Sequence, residues 1–129
     1  MTQNDIEKAF GERLETADIA PISWPARSFE PNGEYIEFRH APNNVTDSFI
    51  SGGGAIRQGL ILITAVIPAG NFTTRANEIA DLVFALFPKA LRMPQASGTA
   101  LVTDAADFGS GFTEGAYWKQ PVVVPYITE

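Results

Sequence analysis

Apolar positions are concentrated between residues 55 and 88, and this segment predicts the unit around which the chain is organised. A long apolar strand is predicted from about Arg57 to Ile67, followed by a turn at residues 68–70. In the middle of this strand both faces are apolar, whereas a two-layer antiparallel domain leaves one face polar. We therefore expect a central strand that is covered on both faces, in part by another subunit.

A helix is predicted after the turn, from about Thr73 to Phe87, with Pro88 ending it. Its first half has a polar side, whereas the segment LVFALF at residues 82–87 carries no charge. A helix that is apolar on all sides is expected to be buried on all sides, and each buried Leu, Val or Phe contributes about 1.5–3 kcal/mol. Two alternatives explain that burial equally well: cover by the sheet and the first helix, or by the sheet and a neighbouring subunit.

Residues 2–17 predict a first helix, because Ile6, Phe10 and Leu14 recur at the spacing of one buried stripe. Thr2 is the predicted N-cap, since its hydroxyl can accept a backbone hydrogen bond from the first turn. We expect this helix to have one buried side and one solvated side.

Three prolines between positions 21 and 31 exclude a regular helix there, and residues 21–24 are predicted to be extended. Trp24 is favoured as a core anchor that closes one end of the sheet, and the alternative is an exposed binding residue. Residues 34–40 then alternate between polar and apolar, which predicts a half-buried antiparallel strand.

Residues 41–54 (APNNVTDSFISGGG) are predicted to form a long flexible loop that is rich in Asn, Ser and Gly. Loops of this length are uncommon inside compact domains and are usually functional or disordered. Val45, Phe49 and Ile50 are its large apolar residues. They are expected either to fold back onto the sheet or to become ordered only against a partner.

The C-terminal part of the chain is predicted to add further strands. Pro125 has no amide hydrogen, so the last strand is expected at a sheet edge or paired on one side only. The predicted segments are an irregular connection at 89–98, a strand at 99–103, a turn-rich loop at 104–111, the start of a hairpin at 112–118 and a final strand at 121–128.

The length and the order of elements define the fold class. A chain of 129 residues forms one domain, spanning residues 1–129. The order helix, strands, helix, strands predicts an α+β two-layer sandwich. Its sheet is expected to be mixed but mainly antiparallel, with about four to six strands packed by about two helices.

Composition excludes several function classes. The chain has 15 acidic and 9 basic residues and a net charge of −6, which argues against tight binding to nucleic-acid phosphates. The absence of cysteine excludes disulfides, a thiolate nucleophile and a zinc–sulfur site. The N-terminus lacks the basic and apolar regions of a signal peptide, and no apolar stretch is long enough to span a bilayer. Folding is therefore expected in a reducing cytoplasm.

No pattern predicts catalysis or cofactor binding. His40 is the only histidine, and because no HxH, HExxH or carboxylate pair accompanies it, a structural or surface role is favoured. The carboxylates of Asp104, Asp107 and Glu114 lack the spacing of a calcium loop and are expected to be solvated. The glycines at 52–54 lack the GK[ST] ending of a phosphate loop, and no serine has a GxSxG context. The sequence thus predicts no enzyme, no cofactor and no metal.

Several blocks of the sequence carry a family resemblance that covers most of the chain. The blocks are Phe10 and Leu14 in the first helix; Ile22-Ser23-Trp24-Pro25; Phe29; Gly33-Glu34-Tyr35-Ile36; Arg57-Gln58-Gly59 with residues 60–67 and Pro68; Ala76, Ile79, Ala80, Phe87 and Pro88; and Gly115, Tyr117 and Trp118 before Pro121-Val122. In order and pattern they resemble the phage tail terminator family, the small tail-completion proteins of long-tailed bacteriophages and prophages. The triple glycine at 52–54 departs from that pattern.

The resemblance implies a structural protein rather than an enzyme. Members of that family form a hexameric ring on the last ring of the tail tube, which stops tube polymerisation and presents the surface to which the filled head joins. The implied partners are other copies of the chain, the tail tube protein and a head-completion protein. The implied location is the host cytoplasm during assembly and then the tail of the virion. DNA passes through the ring, and an acidic protein would repel it rather than grip it.

A ring closed by cyclic symmetry needs two different patches on each subunit. We expect one patch on the polar side of the second helix, around Arg75 and Glu78, and the other near a sheet edge, at Arg57 or the C-terminal strand. The glycine-rich loop is expected to dock on the tube. Its docking residues are predicted to be Phe49, Ile50, Gly52, Gly53 and Gly54.

Two other functions stay open. One is another head–tail connector or minor tail protein, since such proteins share this size and α+β composition. The other is a small-molecule-binding or hydrolytic α+β domain, for which Trp24, Tyr117 and Trp118 would line a pocket. The absence of any acid–base constellation argues against the second.

Overall fold

The computed structural model of the chain describes residues 1–47, 55–70 and 73–129. In these ranges the chain forms two helices and one curled sheet, which confirms the α+β prediction. The helices are α1 (Gln3–Ala17) and α2 (Thr74–Leu86), and the strands are β1 (Ile22–Ser23), β2 (Tyr35–Asp47), β3 (Ala55–Pro68), β4 (Arg92–Gln95), β5 (Gly98–Val102), β6 (Asp107–Phe108), β7 (Phe112–Glu114) and β8 (Tyr117–Thr128).

The sheet is mixed but mainly antiparallel, as predicted. Its strand order is β1-β2-β3-β8-β5-β4, and β6 and β7 also pair with β8. Only the β1–β2 pair is parallel among the described strands. The sheet has more strands than expected because β1, β6 and β7 have only two or three residues each and show no apolar period.

The core lies between the helices and one face of the sheet, called the inner face here. Alternate residues of the three long strands point to this face, and the aligned residues Phe38, Ile63 and Val122 form one buried row across it. From α1, Phe10 packs against Phe87 with ring centroids 5.4 Å apart. The predicted central position of β3 is therefore confirmed.

Helix α1 begins and ends with specific caps. The Thr2 hydroxyl accepts a hydrogen bond from the Asp5 amide at 3.1 Å, which is the predicted N-cap. The Asp5 carboxylate accepts hydrogen bonds from the hydroxyl and the amide of Ser97, the latter at 3.0 Å. These contacts lower the pKa of Asp5, with the Ser97 hydroxyl as the main cause, and they join the start of α1 to the β4–β5 turn. At the other end, Asp18 adopts the left-handed conformation with φ of 50°.

Strand β8 lies in the middle of the sheet, so the expectation that Pro125 places it at an edge is wrong. It pairs with β3 continuously on one side and with the short strands β5, β6 and β7 on the other. On this second side the Pro121 carbonyl accepts from the Gly109 amide and the Pro125 carbonyl accepts from Thr103. A strand residue directs its N–H and C=O to the same side, so both missing amide hydrogens fall where the short strands leave gaps.

Strand β2 continues to Asp47, so the prediction of a loop from residue 41 onward is wrong for residues 41–47. These residues pair with the start of β3, with a bulge between Pro42 and Asn44, and the pairing extends beyond the last β3–β8 pair. In this two-stranded ribbon, residues 41–47 carry no apolar alternation, so the sequence pattern resembled a loop. Residues 48–54 lie outside the described residues.

Two connections also contain strands that the sequence pattern did not indicate. The predicted irregular connection at 89–98 contains β4, which forms a hairpin with β5. The predicted turn-rich loop at 104–111 contains β6, which pairs with β8. Both strands are short enough for backbone pairing, rather than side-chain pattern, to define them.

Helix α2 is buried on one side only. Val83 and Phe87 are fully buried, whereas Leu82 and Phe84 are 50% and 36% exposed. The sheet covers one side of the helix, and α1 approaches its C-terminal end, where Arg13 Nε donates to the Leu86 carbonyl at 2.6 Å. The expectation that residues 82–87 are buried all round is therefore wrong for the single chain, since one helix and one sheet cover only part of a helix surface.

Candidate interaction surfaces

The outer face of the sheet points away from both helices. Its residues alternate with those of the core, so Leu62 and Val123 lie next to each other across the β3–β8 ladder on this face. Leu60 is 37% exposed, and both Leu62 and Val123 are half-buried. Within the described residues no helix covers this face. The predicted apolar second face of β3 is thus present, but the single chain leaves it partly open.

One end of the outer face is closed by aromatic rings. Tyr35 is buried between Phe29 and Tyr117, with ring centroids 4.9 Å and 5.8 Å away. This cover stops before Leu62, so the open apolar surface is confined to the middle and the opposite end of the sheet.

Phe112 extends the open surface from the neighbouring strand β7. It pairs with Lys119 of β8 and is 45% exposed. With Leu62 and Pro121 it borders a concavity of about 260 Å³. That volume is below the roughly 300–1,000 Å³ of typical small-molecule sites, so it fits protruding side chains better than a ligand. We call the set Leu60, Leu62, Phe112 and Val123 the outer sheet patch.

The charges around the outer sheet patch differ in how they are paired. Lys119 is only 11% exposed and pairs with Glu37 at 2.8 Å and with Glu114 at 3.5 Å. Burial opposes the charge of Lys119, but the hydrogen bond and the charge of Glu37 hold its pKa above the ordinary value. Arg39 also borders the concavity, is exposed and has no ion-pair partner among the described residues. Lys119 and Arg39 balance Glu37 and Glu114, so the rim is neutral overall, and Arg39 is its one charge without an ion-pair partner among the described residues.

A second apolar surface lies on the helical side of the molecule. Phe84 of α2 and Phe108 of β6 stack with centroids 5.2 Å apart and planes 17° apart, and both are exposed. Leu82 lies on the same helix and is the most exposed large apolar side chain among the described residues. We call Leu82, Phe84 and Phe108 the helix patch. The exposed carboxylate of Asp81 adjoins it, without an ion-pair partner among the described side chains.

Arg75, predicted at a subunit interface, is already paired within the chain. Its Nε and Nη2 atoms donate to the two carboxylate oxygens of Glu34 at 2.7 Å and 3.0 Å, and Nη1 donates to Glu78 at 3.2 Å. The bond from Arg75 lowers the pKa of Glu34, although burial opposes the shift, and the pairing raises the pKa of Arg75. This fork joins the first turn of α2 to the start of β2.

Arg57 lies far from that fork. It faces Val45 in the β2–β3 ladder, and its amide donates to the Thr128 hydroxyl at 2.9 Å. Val66, which faces the start of β2, is nine residues further along β3, so about 30 Å separates the two ends. The structure therefore places Arg57 apart from Arg75 and Glu78. The predicted docking residues Phe49, Ile50, Gly52, Gly53 and Gly54 lie outside the described residues.

His40 lies in the wall of the core. Its Nε2 atom is 2.5 Å from the Tyr126 hydroxyl, and its Nδ1 atom is 3.7 Å from Glu7. Burial lowers the pKa of His40, the nearby Glu7 opposes this shift, and the charge of Arg57 reinforces it. The imidazole is 5% exposed, so it connects β2 to β8 in its neutral form.

The three aromatic residues proposed to line one pocket do not converge. Tyr117 lies on the outer face, whereas its neighbour Trp118 points to the inner face and packs at the edge of the core. Trp24 is half-buried and packs against Phe38, with centroids 5.4 Å apart, so it is the predicted core anchor. It borders a cleft of about 410 Å³ that neither of the other two rings reaches.

In the described ranges, no group of three or more His, Cys, Asp or Glu side chains is placed to hold a metal ion. Asp104 instead lies 4.0 Å from Lys89, and Glu114 lies near Lys119. In the same ranges neither helix has the length and apolar character needed to cross a bilayer.

Sequence reasoning indicated the patch residues of β3 and α2 but missed Phe108, Phe112 and Val123. Phe108 and Phe112 lie in or beside glycine-rich segments, and neither belongs to an apolar period. The signal that could have indicated them was a large apolar side chain between turn residues, where no predicted element would bury it. Arg39 falls on the polar side of the alternating segment 34–40, but its lack of an ion-pair partner among the described residues follows only from the fold.

The chain is similar to a protein family and to several solved structures. Residues 5–126 match the family model described as "Phage tail terminator protein". A solved structure without a functional description is 24% identical and superposes with a TM-score of 0.82, covering 100% of this chain and 96% of that one. A chain from the virion of a native gene transfer agent particle is 16% identical, with a TM-score of 0.69 and coverage of 95% and 93%. No curated protein matches the sequence. At these identities the solved structures support the fold alone.

Proposed function

Since this chain belongs to the phage tail terminator family, and is thus a structural protein of a phage tail, we propose that it forms a ring that caps the tail tube. The ring would stop polymerisation of the tube and provide the surface to which the head joins. The observation that carries this proposal is the pair of exposed apolar patches, one on each layer of the sandwich. Exposed apolar surface of this kind marks interaction sites in proteins that otherwise bury such residues.

Ring closure requires two unlike patches on each subunit, because each copy contacts two neighbours through different surfaces. The outer sheet patch and the helix patch meet this requirement. Arg75 and Glu78 would lie at the rim of the helix-side contact, where their exposed edges face solvent in the single chain. Arg57 would lie at the opposite end of the sheet, near the ribbon.

The tube-docking element would be the β2–β3 ribbon and its loop. The two strands remain paired past the end of β8, to Asp47 and Ala55. Residues 48–54 join them, so Phe49, Ile50 and Gly52, Gly53 and Gly54 would reach the tube from the end of the ribbon. A ribbon that extends past the end of β8 suits docking, since binding segments are commonly carried by loops that a rigid scaffold positions.

The partners would be other copies of the chain, the tail tube protein and a head-completion protein. Assembly would take place in the host cytoplasm, and the finished ring would remain in the virion. Its net charge of −6 suits a passage for DNA, because like charges prevent the duplex from adhering to the wall.

Growth of the tube tests the proposal directly. Tube protein from the same phage genome is polymerised with and without this chain, and tube lengths are measured by electron microscopy. We expect shorter tubes with added density at one end. A heat-denatured sample of the chain is the control. Tubes of unchanged length with bare ends would overturn the proposal.

A different head–tail joining protein is the alternative that the same fold permits. It would leave tube length unchanged but would be required for heads to attach. Counting tailless heads and headless tails in a lysate lacking the chain separates the two roles. The small-molecule-binding alternative has lost its main support, because Trp24, Tyr117 and Trp118 do not share a pocket.

A further inference from the structure

The outer face of the sheet lacks the layer that an apolar sheet face normally has. Such a face is stabilised by a second sheet or by a helix that lays an apolar stripe across it. The concavity beside Leu62 and Phe112 is a shallow depression between strands, suited to side chains that protrude from a packed element.

Helix α2 presents a surface of that kind. Glu78, Asp81, Leu82 and Ala85 lie on one side of the helix, because Glu78 precedes Asp81 and Leu82 by three and four residues and Ala85 follows them by four and three. All four are exposed. Phe84 and its stacking partner Phe108 broaden this stripe on one side. An exposed stripe that is acidic at one end and apolar at the other has no function in the fold of the single chain.

Each surface carries one charge of opposite sign that lacks an ion-pair partner among the described residues. Arg39 is the unpaired cation at the rim of the outer sheet patch, and Asp81 is the unpaired anion beside the helix patch. Neither has an ion-pair partner in the part of the chain that the structure describes. Opposite charges at the edges of two apolar patches favour one mutual orientation over others.

The two patches lie on opposite sides of the two-layer sandwich, so they cannot both face the same neighbour. A two-fold dimer would therefore leave one patch of each subunit exposed. A head-to-tail arrangement covers both, because each copy gives its helix to one neighbour and its sheet to the other.

We propose that α2 of one subunit packs on the outer sheet face of the next, with Leu82 and Ala85 facing the depression beside Leu62 and Phe112. Asp81 then meets Arg39 of the neighbour. This pairing rests on the proposed ring and specifies its contact. The occupant of the outer face is accordingly a second copy of this chain.

Cross-linking tests the pairing cleanly, because the chain contains no cysteine. Leu82→Cys and Leu60→Cys proteins are prepared separately, mixed, and treated with a short bismaleimide. This reagent links cysteines over a wider range of distances and angles than a disulfide allows. The matched control replaces Leu82→Cys by Thr16→Cys, which is also an exposed position but lies on the other helix. Thermal unfolding of each variant verifies that it is folded.

We expect covalent dimers in the mixture, none in either single variant alone, and none in the control mixture. A chain carrying both substitutions should give a ladder of multiples that ends at the size of the ring. Cross-links in a single variant would indicate a two-fold contact. That result would overturn the pairing, and so would equal cross-linking in the control mixture. Absence of cross-links in a sample that native mass spectrometry shows to be oligomeric would also overturn it.

A charge exchange provides an independent measurement. Arg39→Asp or Asp81→Arg alone should weaken self-association by about two- to fivefold, the range for an exposed ion pair, and the two together should restore it. No restoration would contradict the contact between these residues. Tube capping is measured in a separate assay. If the subunits pair differently but the tube is still capped, the pairing is wrong and the proposed function stands.

Discussion

At the level of single residues, His40 shows how burial determines a protonation state. The Nε2 atom of the imidazole is hydrogen-bonded to the Tyr126 hydroxyl at 2.5 Å, and the ring is almost completely buried. The groups that face it are Glu7 from α1, Arg57 from β3 and Tyr126 from β8. Desolvation outweighs the attraction of Glu7, so the folded protein favours the neutral ring.

This environment predicts a pH-dependent stability. The pKa of His40 is lowered in the fold from an unfolded value of about 6.5, so the unfolded chain binds the extra proton first. The free energy of unfolding should fall as pH decreases from about 7.5 to about 5.5. In His40→Gln, which retains a hydrogen-bonding group without a charge, the fall should be smaller. Urea denaturation at both pH values measures it, and equal falls in both proteins would contradict the prediction.

The pair of Arg75 and Glu34 predicts a different pH window. Both side chains are more than a third exposed, so the pair is expected to contribute only about 0.5–1 kcal/mol. Because the pKa of Glu34 is lowered, this stabilisation is present above its ordinary pKa and is lost as pH falls through the folded value. Glu34→Gln should therefore destabilise the protein at neutral pH and not in acid. Glu30→Gln removes an exposed carboxylate without an ion-pair partner among the described residues; it is the control and should change stability at neither pH.

At the level of elements, Gly59 explains how β3 and β8 fit together. A Cβ atom there would lie 2.6 Å from the Tyr126 hydroxyl and 2.8 Å from the Ala41 carbonyl oxygen. The missing side chain lets the tyrosine cross β3 and reach His40. Both contacts are closer than real Cβ contacts, and the carbonyl belongs to the backbone, so relaxation is limited.

Gly59→Ala is accordingly expected to destabilise the protein by about 1–3 kcal/mol, although alanine is normally the better strand residue. In chemical denaturation, the midpoint should shift to a lower denaturant concentration while the m-value stays the same. Gln58→Ala, one position away on the exposed face, should stay within about 0.5 kcal/mol of the parent. An unchanged stability for Gly59→Ala would mean that Tyr126 does not occupy this space.

The elements that could be predicted from sequence are those defined locally. Helix α1 follows from its apolar stripe and the Thr2 cap, and the centre of β3 follows from its apolar run. Features that depend on pairing could not be predicted in this way. The effect of Pro125 depends on which neighbour its nitrogen faces, and the strand character of residues 41–47 comes from β3 rather than from their own pattern.

The candidate surfaces were predictable only in part. The apolar second face of β3 and the uncharged block at 82–87 were visible in the sequence as an excess of apolar residues. Which of these residues remain exposed depends on how much of α2 the sheet and α1 cover. Phe108 and Phe112 join the patches only because two very short strands hold them against β8.

At the level of the whole molecule, the two patches and the ribbon divide the surface among different contacts. The patches lie on the two faces of the sandwich, where neighbouring copies would pack. The ribbon extends past the end of β8, so its end lies beyond both patches. Self-association and tube binding should therefore be separable by mutation.

Replacing residues 48–54 by a two-residue Asn-Gly turn tests that separation. Asp47 and Ala55 face each other at the end of the β2–β3 ladder, and Asn-Gly forms the tight turn that such a hairpin accepts. The free energy of unfolding should stay within about 0.5 kcal/mol, because the described core makes no use of this segment. Self-association, measured by native mass spectrometry, should be unchanged, whereas tubes should grow past their normal length. Normal tube length in the shortened protein would exclude the loop as the docking element, and loss of the oligomer would assign it to the subunit contact instead.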